Sequence, residues 1–309
     1  MGGIIAVSVL LTSKDEVTVV LPALNEENAV GHVVEELKAE GYRNILVVDG
    51  YSKDKTAPIA REMGATVVYQ HGKGKAGAVR TALYMVETPF MLVMDADYTY
   101  DPKDIAQMLN HISEADEVIG MRKDKRNIPF AHRVGNRIIS FAFGLLMGQK
   151  ISDPCSGMYM LNTKKARGLE LTSGGFDIEV EMAAQALSSG RVVEVPISYR
   201  ERVGERKLST CSAGFAILLT VLRMAWLYNP VFLFSSITAL FTVPGAAVLL
   251  WQLFKIFLYG VESWSLGWSW LGLVLLVIGV QGFTISTISL LLKRMERRII
   301  RATAGRREG

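Results

Sequence analysis

The chain is poor in the residues that build disulfide frameworks and soft-metal sites. Its 309 residues include two cysteines, Cys155 and Cys211, which form no Cys-x-x-Cys pair, and four histidines without the spacing of metal ligands. No stretch interleaves basic and aromatic residues, and no internal repeat or low-complexity linker is present. These absences exclude a disulfide-stapled fold, argue against a zinc site and give no support to a nucleic acid partner.

Charge is missing from long stretches of the last third of the chain. Residues 231–254 contain no charged residue, and residues 266–292 form a second uncharged run. Each run is long enough to cross a bilayer, and the linker 260–263 between them has no Lys or Arg. The sequence therefore predicts two transmembrane helices within 230–292. A hairpin buried inside a soluble protein is the alternative.

A basic tail, residues 293–309, follows the second apolar run. Trp264 and Trp268 lie where an interfacial aromatic belt is expected, whereas Lys255 near the outer end of the first run speaks against the same orientation. By the positive-inside rule we expect a multi-pass protein of the cell membrane, or of an endoplasmic reticulum equivalent, with residues 1–210 and the tail in the cytoplasm. The apolar N-terminus lacks a basic segment, so no cleaved signal peptide is expected.

Short apolar runs alternate with helical patterns in the first hundred residues. The sequence predicts strands at 17–21, 45–48, 66–69 and 89–94, each separated from the next by a helix. This alternation is typical of a doubly wound, mostly parallel α/β sheet.

Two further helices carry apolar faces beside basic residues. The pattern over 132–147 is amphipathic, with Arg133 and Arg137 on one side, and residues 211–229 form a strongly apolar helix that contains Arg223. Both are too short or too charged for confident membrane spans. We expect them to lie at the membrane interface, where Arg223 can reach water by snorkelling.

The strongest chemical signal is Asp95-Ala96-Asp97, which directly follows the apolar strand pattern ending at Met94. Ligands of open α/β sheets bind beyond the carboxyl ends of the strands. Hard divalent cations such as Mg²⁺ or Mn²⁺ prefer oxygen ligands and share their remaining positions with substrate phosphates. The pair therefore predicts a metal–diphosphate site, although an aspartate that only caps a turn would fit the same position.

Three strand ends together resemble glycosyltransferase family 2, the inverting enzymes with a GT-A fold. Residues 22–26, Pro-Ala-Leu-Asn-Glu, resemble the family's Pro-Ala-Tyr-Asn-Glu, residues 49–52 resemble Asp-Asp-Gly-Ser, and residues 95–97 match the metal-binding Asp-x-Asp. Within this family, the chain is most similar in its motifs to the dolichyl- and polyprenyl-phosphate mannose or glucose synthases. The residues that carry this resemblance are 120–122, 153–157 and 202–207.

The resemblance spans about residues 17–208 and implies an enzyme. It implies metal-dependent transfer of a hexose, with inversion, from a nucleotide sugar to dolichyl or polyprenyl phosphate, for use in glycosylation. GDP-mannose is the donor expected first, and UDP-glucose and UDP-N-acetylglucosamine are the alternatives. The sequence is compatible with a homo-oligomer and does not fix the number of copies.

The resemblance also implies roles for individual residues. Metal ligands would be Asp95, Asp97 and Thr99. Catalytic residues would be Asp97, Arg122, Arg202 and Lys207. Donor contacts would come from Pro22, Ala23, Asn25, Glu26, Asp49, Lys75, Asp95, Ala96, Asp97, Arg202 and Lys207. The acceptor phosphate would be held by Arg122, Arg133, Arg137, Asp153 and Ser156.

Four positions depart from the family pattern. Gly50 and Tyr51 replace the second Asp and the Gly of Asp-Asp-Gly-Ser. This motif would contact the base or ribose of the donor, so those contacts are expected to differ from the family's. Thr99 stands where relatives often have Gln as a further metal ligand, and because Thr is a weaker ligand, an extra water is expected on the metal. Arg206 replaces the Ser before Lys207 and adds a positive charge.

Two alternatives remain open on the sequence. A family 2 transferase acting on a hydroxyl acceptor would need a general base, for which Asp177 and Glu179 are the candidates. A non-catalytic membrane scaffold that binds a nucleotide sugar would retain the same motifs. The Gln-x-x-Arg-Trp motif of processive polymer synthases is absent from the sequence, as is the glycine-rich start of sugar-1-phosphate nucleotidyltransferases.

Overall fold

The computed structural model describes residues 13–124, 126–172, 177–204 and 210–304. Two compact units divide after Met224. The first unit contains one seven-stranded sheet with helices on both faces, and the second contains two long apolar helices. Lys207 and Arg206 lie outside the described residues, as does the N-terminal apolar stretch.

The sheet is almost entirely parallel. Its order is β3-β2-β1-β4-β6-β5-β7, and β6 runs antiparallel to both of its neighbours while the other strands share one direction. The strands are β1 (Val17–Ala23), β2 (Ile45–Asp49), β3 (Thr66–Tyr69), β4 (Phe90–Val93), β5 (Glu117–Arg122), β6 (Tyr159–Asn162) and β7 (Val192–Ile197).

The helices range from four residues in α6 to thirty-nine in α10. They are α1 (Val30–Ala39), α2 (Thr56–Glu62), α3 (Gly74–Met85), α4 (Ile105–Ile112), α5 (Phe130–Met147), α6 (Thr163–Ala166), α7 (Ile178–Ser189), α8 (Thr210–Tyr228), α9 (Pro230–Tyr259) and α10 (Leu266–Ala304).

Alternation along the strands builds a core on each face of the sheet. In β1, Val19 and Leu21 pack with α1, α2 and α4, whereas Val20 packs with α3 and α7. Side chains of successive strand residues point to opposite faces, so a strand buried on both sides reads as a continuous apolar run. The result is a doubly wound sheet whose carboxyl edge is left open for loops.

The sequence-based elements agree with the structure for the first half of the sheet and are incomplete after it. β6 and α4 are not predicted. The helix after β1, which the sequence pattern predicts to open at Asn25, begins at Val30, because Asn25 has a positive φ of 50° and lies in the turn after β1. Asn25 Oδ1 there accepts a hydrogen bond from the Lys53 N–H, at 2.7 Å.

In the first unit, α8 contacts α7 through polar groups. Arg223 Nη2 lies 2.9 Å from Glu181 Oε1, and Thr220 Oγ1 donates to Asp177 Oδ2 at 2.7 Å. Arg223 thus pairs with a carboxylate that is 1% exposed, while its own side chain is 43% exposed. The expectation that it reaches water by snorkelling stays a prediction.

In the second unit, α9 and α10 pack antiparallel along small and polar residues. The backbone of Gly272 approaches that of Gly245, and Ser235 lies 3.3 Å from Ser286 through their hydroxyl oxygens. Small side chains allow close backbone approach, as in membrane helix pairs. Both helices are long and apolar enough to cross a membrane over Pro230–Tyr259 and Leu266–Leu292, close to the predicted limits.

Candidate active site at the carboxyl edge of the sheet

Residues at the carboxyl ends of six strands, β1 to β5 and β7, line one cavity of about 610 Å³. Residues after β1, β2 and β4 form one wall, and Arg122 at the end of β5 and Tyr199 after β7 form another. This convergence follows from the topology, because strands that run parallel end at the same edge of the sheet.

Asp95 and Asp97 both line this cavity directly after β4. Thr99 Oγ1 donates to Asp97 Oδ1 at 2.5 Å, and the Thr99 N–H donates to the same oxygen at 3.2 Å. Between them Tyr98 has a positive φ of 70°, an uncommon conformation for a bulky residue. Burial, followed by the charge of Asp95, raises the pKa of Asp97. The two carboxylates therefore lie close enough to repel each other.

Lys75 on α3 links the metal motif to α7. Its Nζ lies 2.5 Å from Asp95 Oδ1 and 2.6 Å from Glu179 Oε1, and its side chain is only 6% exposed. Burial alone would lower the pKa of Lys75, but the charges of Asp95 and Glu179 outweigh it and raise that pKa well above its usual value. Lys75 is thus a fixed positive charge at the cavity wall.

Arg202 bridges the first and third strand-end motifs. Its Nη1 lies 2.6 Å from Asp97 Oδ2, and its Nη2 lies 2.6 Å from Glu26 Oε1. The buried Nε of Arg202 has no hydrogen-bond partner among the described residues. A buried N–H donor of this kind is normally satisfied by water or by a bound group. Arg202 can therefore offer a donor to an anion in the cavity.

The carboxylates of Asp95 and Asp97 fit a hard divalent cation such as Mg²⁺ or Mn²⁺. No cluster of three or more His, Cys, Asp or Glu side chains is arranged to hold a metal in the described part of the chain. Water and substrate oxygens would supply the remaining ligands. Gly157 leaves room for this arrangement, because a Cβ at that position would collide with the Asp95 carboxylate.

Arg122 is held by a buried carboxylate behind the cavity. Its Nε and Nη2 lie 2.7 and 2.6 Å from the two oxygens of Asp153, and its guanidinium lies over the Tyr199 ring at 5.2 Å from the centroid. Arg122 lines the cavity, whereas Asp153 and Ser156 are buried away from it. Asp153 therefore orients Arg122 rather than facing the cavity itself.

Helix α5 presents two different faces. His132, Asn136 and Ile139 line the cavity, whereas Arg133 and Arg137 are exposed and do not. Sequence reasoning named the two arginines and missed His132 and Asn136. The helical periodicity shows which residues share a face, but only packing shows which face turns toward the cavity.

Some residues of the first two motifs line the cavity, and others do not. Pro22, Ala23 and Glu26 line the cavity, as does Ala96 of the third motif. Asn25 is exposed and hydrogen-bonds within the neighbouring turn, and Asp49 is fully buried. The carboxylate of Asp49 accepts from the Ser52 N–H at 3.0 Å and from Ser52 Oγ at 2.5 Å. Asp49 therefore caps the turn after β2.

Arg200, which is not among the predicted site residues, forms a network of ion pairs and hydrogen bonds beside the cavity. Arg200 Nη1 lies 2.8 Å from Glu36 Oε2, its Nη2 lies 2.6 Å from Asp101 Oδ2, and its N–H donates to the Thr99 carbonyl at 2.7 Å. These contacts fasten the segment after β7 to the loop after β4. Arg200 thus holds the segment that carries Arg202.

The family model and the most similar known proteins agree on one family for this chain. Residues 18–169 match the family model described as glycosyl transferase family 2. Glycosyltransferase AglJ of Haloferax volcanii is 35% identical over 253 residues, which cover 79% of this chain and 84% of that protein. The dolichyl-phosphate hexose transferase of the same organism is 31% identical over 216 residues, which cover 68% of this chain and 94% of that protein.

The fold is shared with a solved transferase. The crystal structure of glucosyl-3-phosphoglycerate synthase from Mycobacterium tuberculosis, in complex with Mn²⁺, UDP and glucosyl-3-phosphoglycerate, superposes with a TM-score of 0.54. The two chains are 19% identical, and the match covers 68% of this chain and 79% of that one. The GT-A fold predicted from the motifs is thereby confirmed. The chain is an enzyme that belongs to glycosyltransferase family 2.

Proposed function

We propose that the protein transfers a hexose from a nucleotide sugar to the phosphate of dolichyl or another polyprenyl phosphate, with inversion at the anomeric carbon. GDP-mannose, UDP-glucose and UDP-N-acetylglucosamine are the donors to be compared. The product would be a lipid-phosphate-linked sugar that serves as a donor in glycosylation.

The observation that carries this proposal is the pairing of the carboxylates around the cavity. Each cavity-lining carboxylate in the described part of the chain lies within 2.6 Å of a cationic nitrogen. These carboxylates are Glu26, Asp95, Asp97 and Glu179. A hydroxyl acceptor needs a base to remove its proton, and a carboxylate oxygen that is held by Lys or Arg is not free to take that proton. Burial raises the pKa of Glu179, and its Oε2 has no hydrogen-bond partner among the described residues, so Glu179 is the carboxylate that a hydroxyl acceptor would have to use. A lipid phosphate is already anionic, so this arrangement favours a phosphate acceptor.

The donor diphosphate would bind at the two aspartates. When bound there, a divalent cation would neutralise the charge that develops on the leaving diphosphate. Lys75 and Arg202 add fixed positive charges beside the same position. Lys207 remains a predicted donor contact that lies outside the described residues.

Arg122 is the residue that we assign to the acceptor phosphate. It lines the cavity, it is 8% exposed, and Asp153 fixes the orientation of its guanidinium. A guanidinium presents several donors in a plane and matches phosphate oxygens well. The acceptor oxygen would then attack the anomeric carbon while the bond to the leaving diphosphate oxygen breaks on the opposite side, which inverts the configuration.

Two features support a membrane location. Helices α9 and α10 would cross the bilayer, with the ends of the hairpin in the cytoplasm as the basic residues after 292 predict. Helix α5 exposes an apolar stripe at helical spacing, formed by Phe130, Val134, Ile138, Phe141 and Leu145. We propose that this stripe lies at the bilayer surface, with Arg133 and Arg137 beside lipid phosphates.

The relatives support the two substrates separately. One relative is named for transfer to dolichyl phosphate, and the solved neighbour was crystallised with Mn²⁺ and UDP. Neither name selects the sugar for this chain.

The test is transfer of labelled sugar by the full chain in detergent. Each of the three donors is offered with dolichyl phosphate and with Mg²⁺ or Mn²⁺, to the wild type, to Asp97→Asn and to the matched surface variant Asp15→Asn. Asp15 is exposed and does not line the cavity. We expect lipid-linked product from one donor, made by the wild type and by Asp15→Asn but not by Asp97→Asn. Transfer only to added hydroxyl compounds would contradict the proposal and return attention to Asp177 and Glu179.

A further inference from the structure

The loop after β2 holds an exposed aromatic ring in a strained backbone. Tyr51 has a positive φ of 63°, which a residue with a Cβ rarely adopts, and its side chain is 63% exposed. Its ring stacks on Tyr69, with centroids 5.4 Å apart and an angle of 18° between the planes. The guanidinium of Arg61 lies 5.8 Å from the centroid of the Tyr69 ring. A costly conformation thus holds an accessible ring in a fixed orientation, as is common at binding sites.

The space beside this ring is kept open by a glycine. A Cβ at Gly50 would lie 3.4 Å from both Leu24 Cδ1 and Gln70 Oε1. Leu24, Gln70, Gly50 and Tyr51 all line the cavity that contains the Asp-x-Asp pair. A longer side chain at position 50 would extend into the space between these groups. Glycine at position 50 therefore adds no side chain to this end of the cavity, beside the ends of β2 and β3, and we call this end the slot.

Gln70 presents a hydrogen-bond acceptor toward this slot. Its side chain is 7% exposed, and its Nε2 donates to the Gly72 carbonyl at 3.2 Å. That hydrogen bond directs the amide nitrogen to the loop, while Oε1 faces Gly50. Asp49 cannot take this role in the observed conformation, because its oxygens accept from Ser52 and it does not line the cavity.

We propose that Tyr51 is the stacking platform for the nucleobase of the donor and that Gln70 Oε1 accepts a hydrogen bond from a ring N–H of that base. The inference rests on the proposed function, because it requires a nucleotide-sugar donor whose diphosphate lies at Asp95 and Asp97. Uracil and guanine both carry such a ring N–H, so the chemistry is shared by UDP- and GDP-linked donors. Tyr51 and Gln70 would then determine how strongly each nucleotide binds.

The test separates the base from the diphosphate. Binding of UDP, GDP and inorganic pyrophosphate, each with Mn²⁺, is measured by calorimetry on the full chain in detergent. The variants are Tyr51→Gly, Tyr51→Phe and Gln70→Leu, and each is also examined by thermal unfolding. Tyr51→Gly removes the ring and relieves the positive φ, so it is expected to fold without loss of thermal stability.

Tyr51→Gly is expected to weaken the preferred nucleoside diphosphate about tenfold, the effect of removing one stacked aromatic from a base, and to leave pyrophosphate within about twofold. Tyr51→Phe, which keeps the ring, should bind like the wild type. Gln70→Leu should weaken the preferred nucleoside diphosphate without changing pyrophosphate binding, because the base loses its hydrogen-bond acceptor and the diphosphate loses nothing.

Three results would overturn the inference. Equal weakening of nucleotide and pyrophosphate by Tyr51→Gly would mean that the residue acts only through the shape of the loop. Unchanged nucleotide affinity in Tyr51→Gly would mean that the ring stacks only on Tyr69. A wild-type protein that binds neither nucleotide nor pyrophosphate would contradict the proposed function itself, and this inference with it.

Discussion

Asp153→Asn tests how the buried ion pair behind the cavity supports both stability and transfer. Arg122 and Asp153 are 8% and 1% exposed, and two charge-assisted hydrogen bonds of 2.6 and 2.7 Å join them. Removing one charge of a buried pair leaves the other uncompensated, which costs about 3–5 kcal/mol. For a domain near 200 residues, this loss corresponds to a fall in Tm of roughly 10 °C.

A double variant separates the structural role of this pair from its chemical role. Arg122→Met combined with Asp153→Leu replaces both charges by apolar groups of similar volume, and such replacements are often neutral or stabilising. We expect the double variant to regain most of the stability that Asp153→Asn loses. It should remain inactive, because the proposed acceptor-phosphate ligand is gone.

Thermal unfolding in detergent and sugar transfer to dolichyl phosphate are the two assays. A stability loss below about 1 kcal/mol in Asp153→Asn would refute the reasoning about the buried pair. A double variant that regains both stability and transfer would refute the role of Arg122 in holding the acceptor.

Three further predictions concern other parts of the molecule. Gly157→Ala should abolish Mn²⁺-dependent transfer, since its Cβ would displace the first carboxylate of the metal motif, whereas Gly267→Ala, with open space around it, should leave transfer unchanged. Burial raises the pKa of Glu117 from 4.5 to about 8, so the unfolded chain ionises Glu117 above pH 4.5 while the folded chain keeps it protonated up to about pH 8. The wild type therefore loses stability as the pH rises from about 5 to 8. The variant Glu117→Gln cannot ionise at this position, so the free energy of unfolding of the variant minus that of the wild type should grow over the same range, to at most about 5 kcal/mol. Gly279→Val should weaken the packing of α9 on α10, seen as a lower Tm, because even a Cβ there would collide with Thr242.

The strand-end motifs could be predicted from sequence because local patterns determine them. Parallel strands end at one edge, so the motifs at residues 22–26 and 95–97 are expected at the same edge, and residues of both line one cavity. Arg122, which only the family resemblance placed at the site, lines the same cavity. β6 was missed because Tyr159–Asn162 is a four-residue segment whose strand conformation depends on pairing with β4 and β5. Such pairing is tertiary information and leaves little local signal.

The ion pairs around the cavity could not be predicted for the same reason. Lys75 and Glu179 lie on different helices, and nothing in either local sequence indicates that the two side chains meet at 2.6 Å. Arg133 and Arg137 show the same limit. The sequence predicts that they share one face of a helix, but only the packing of α5 shows that this face points away from the cavity. Sequence patterns thus predicted the elements and the motifs, and packing determined the partners.

The most direct test of the central claim compares two lipid acceptors that differ only in the phosphate. The wild-type chain is given its preferred labelled donor and Mn²⁺ with either dolichyl phosphate or dolichol. The account predicts a lipid-linked sugar from dolichyl phosphate and none from dolichol, because the cavity supplies cations for a phosphate and every carboxylate that lines it in the described part of the chain is ion-paired with Lys or Arg. Equal transfer to dolichol, or transfer to dolichol alone, would contradict it.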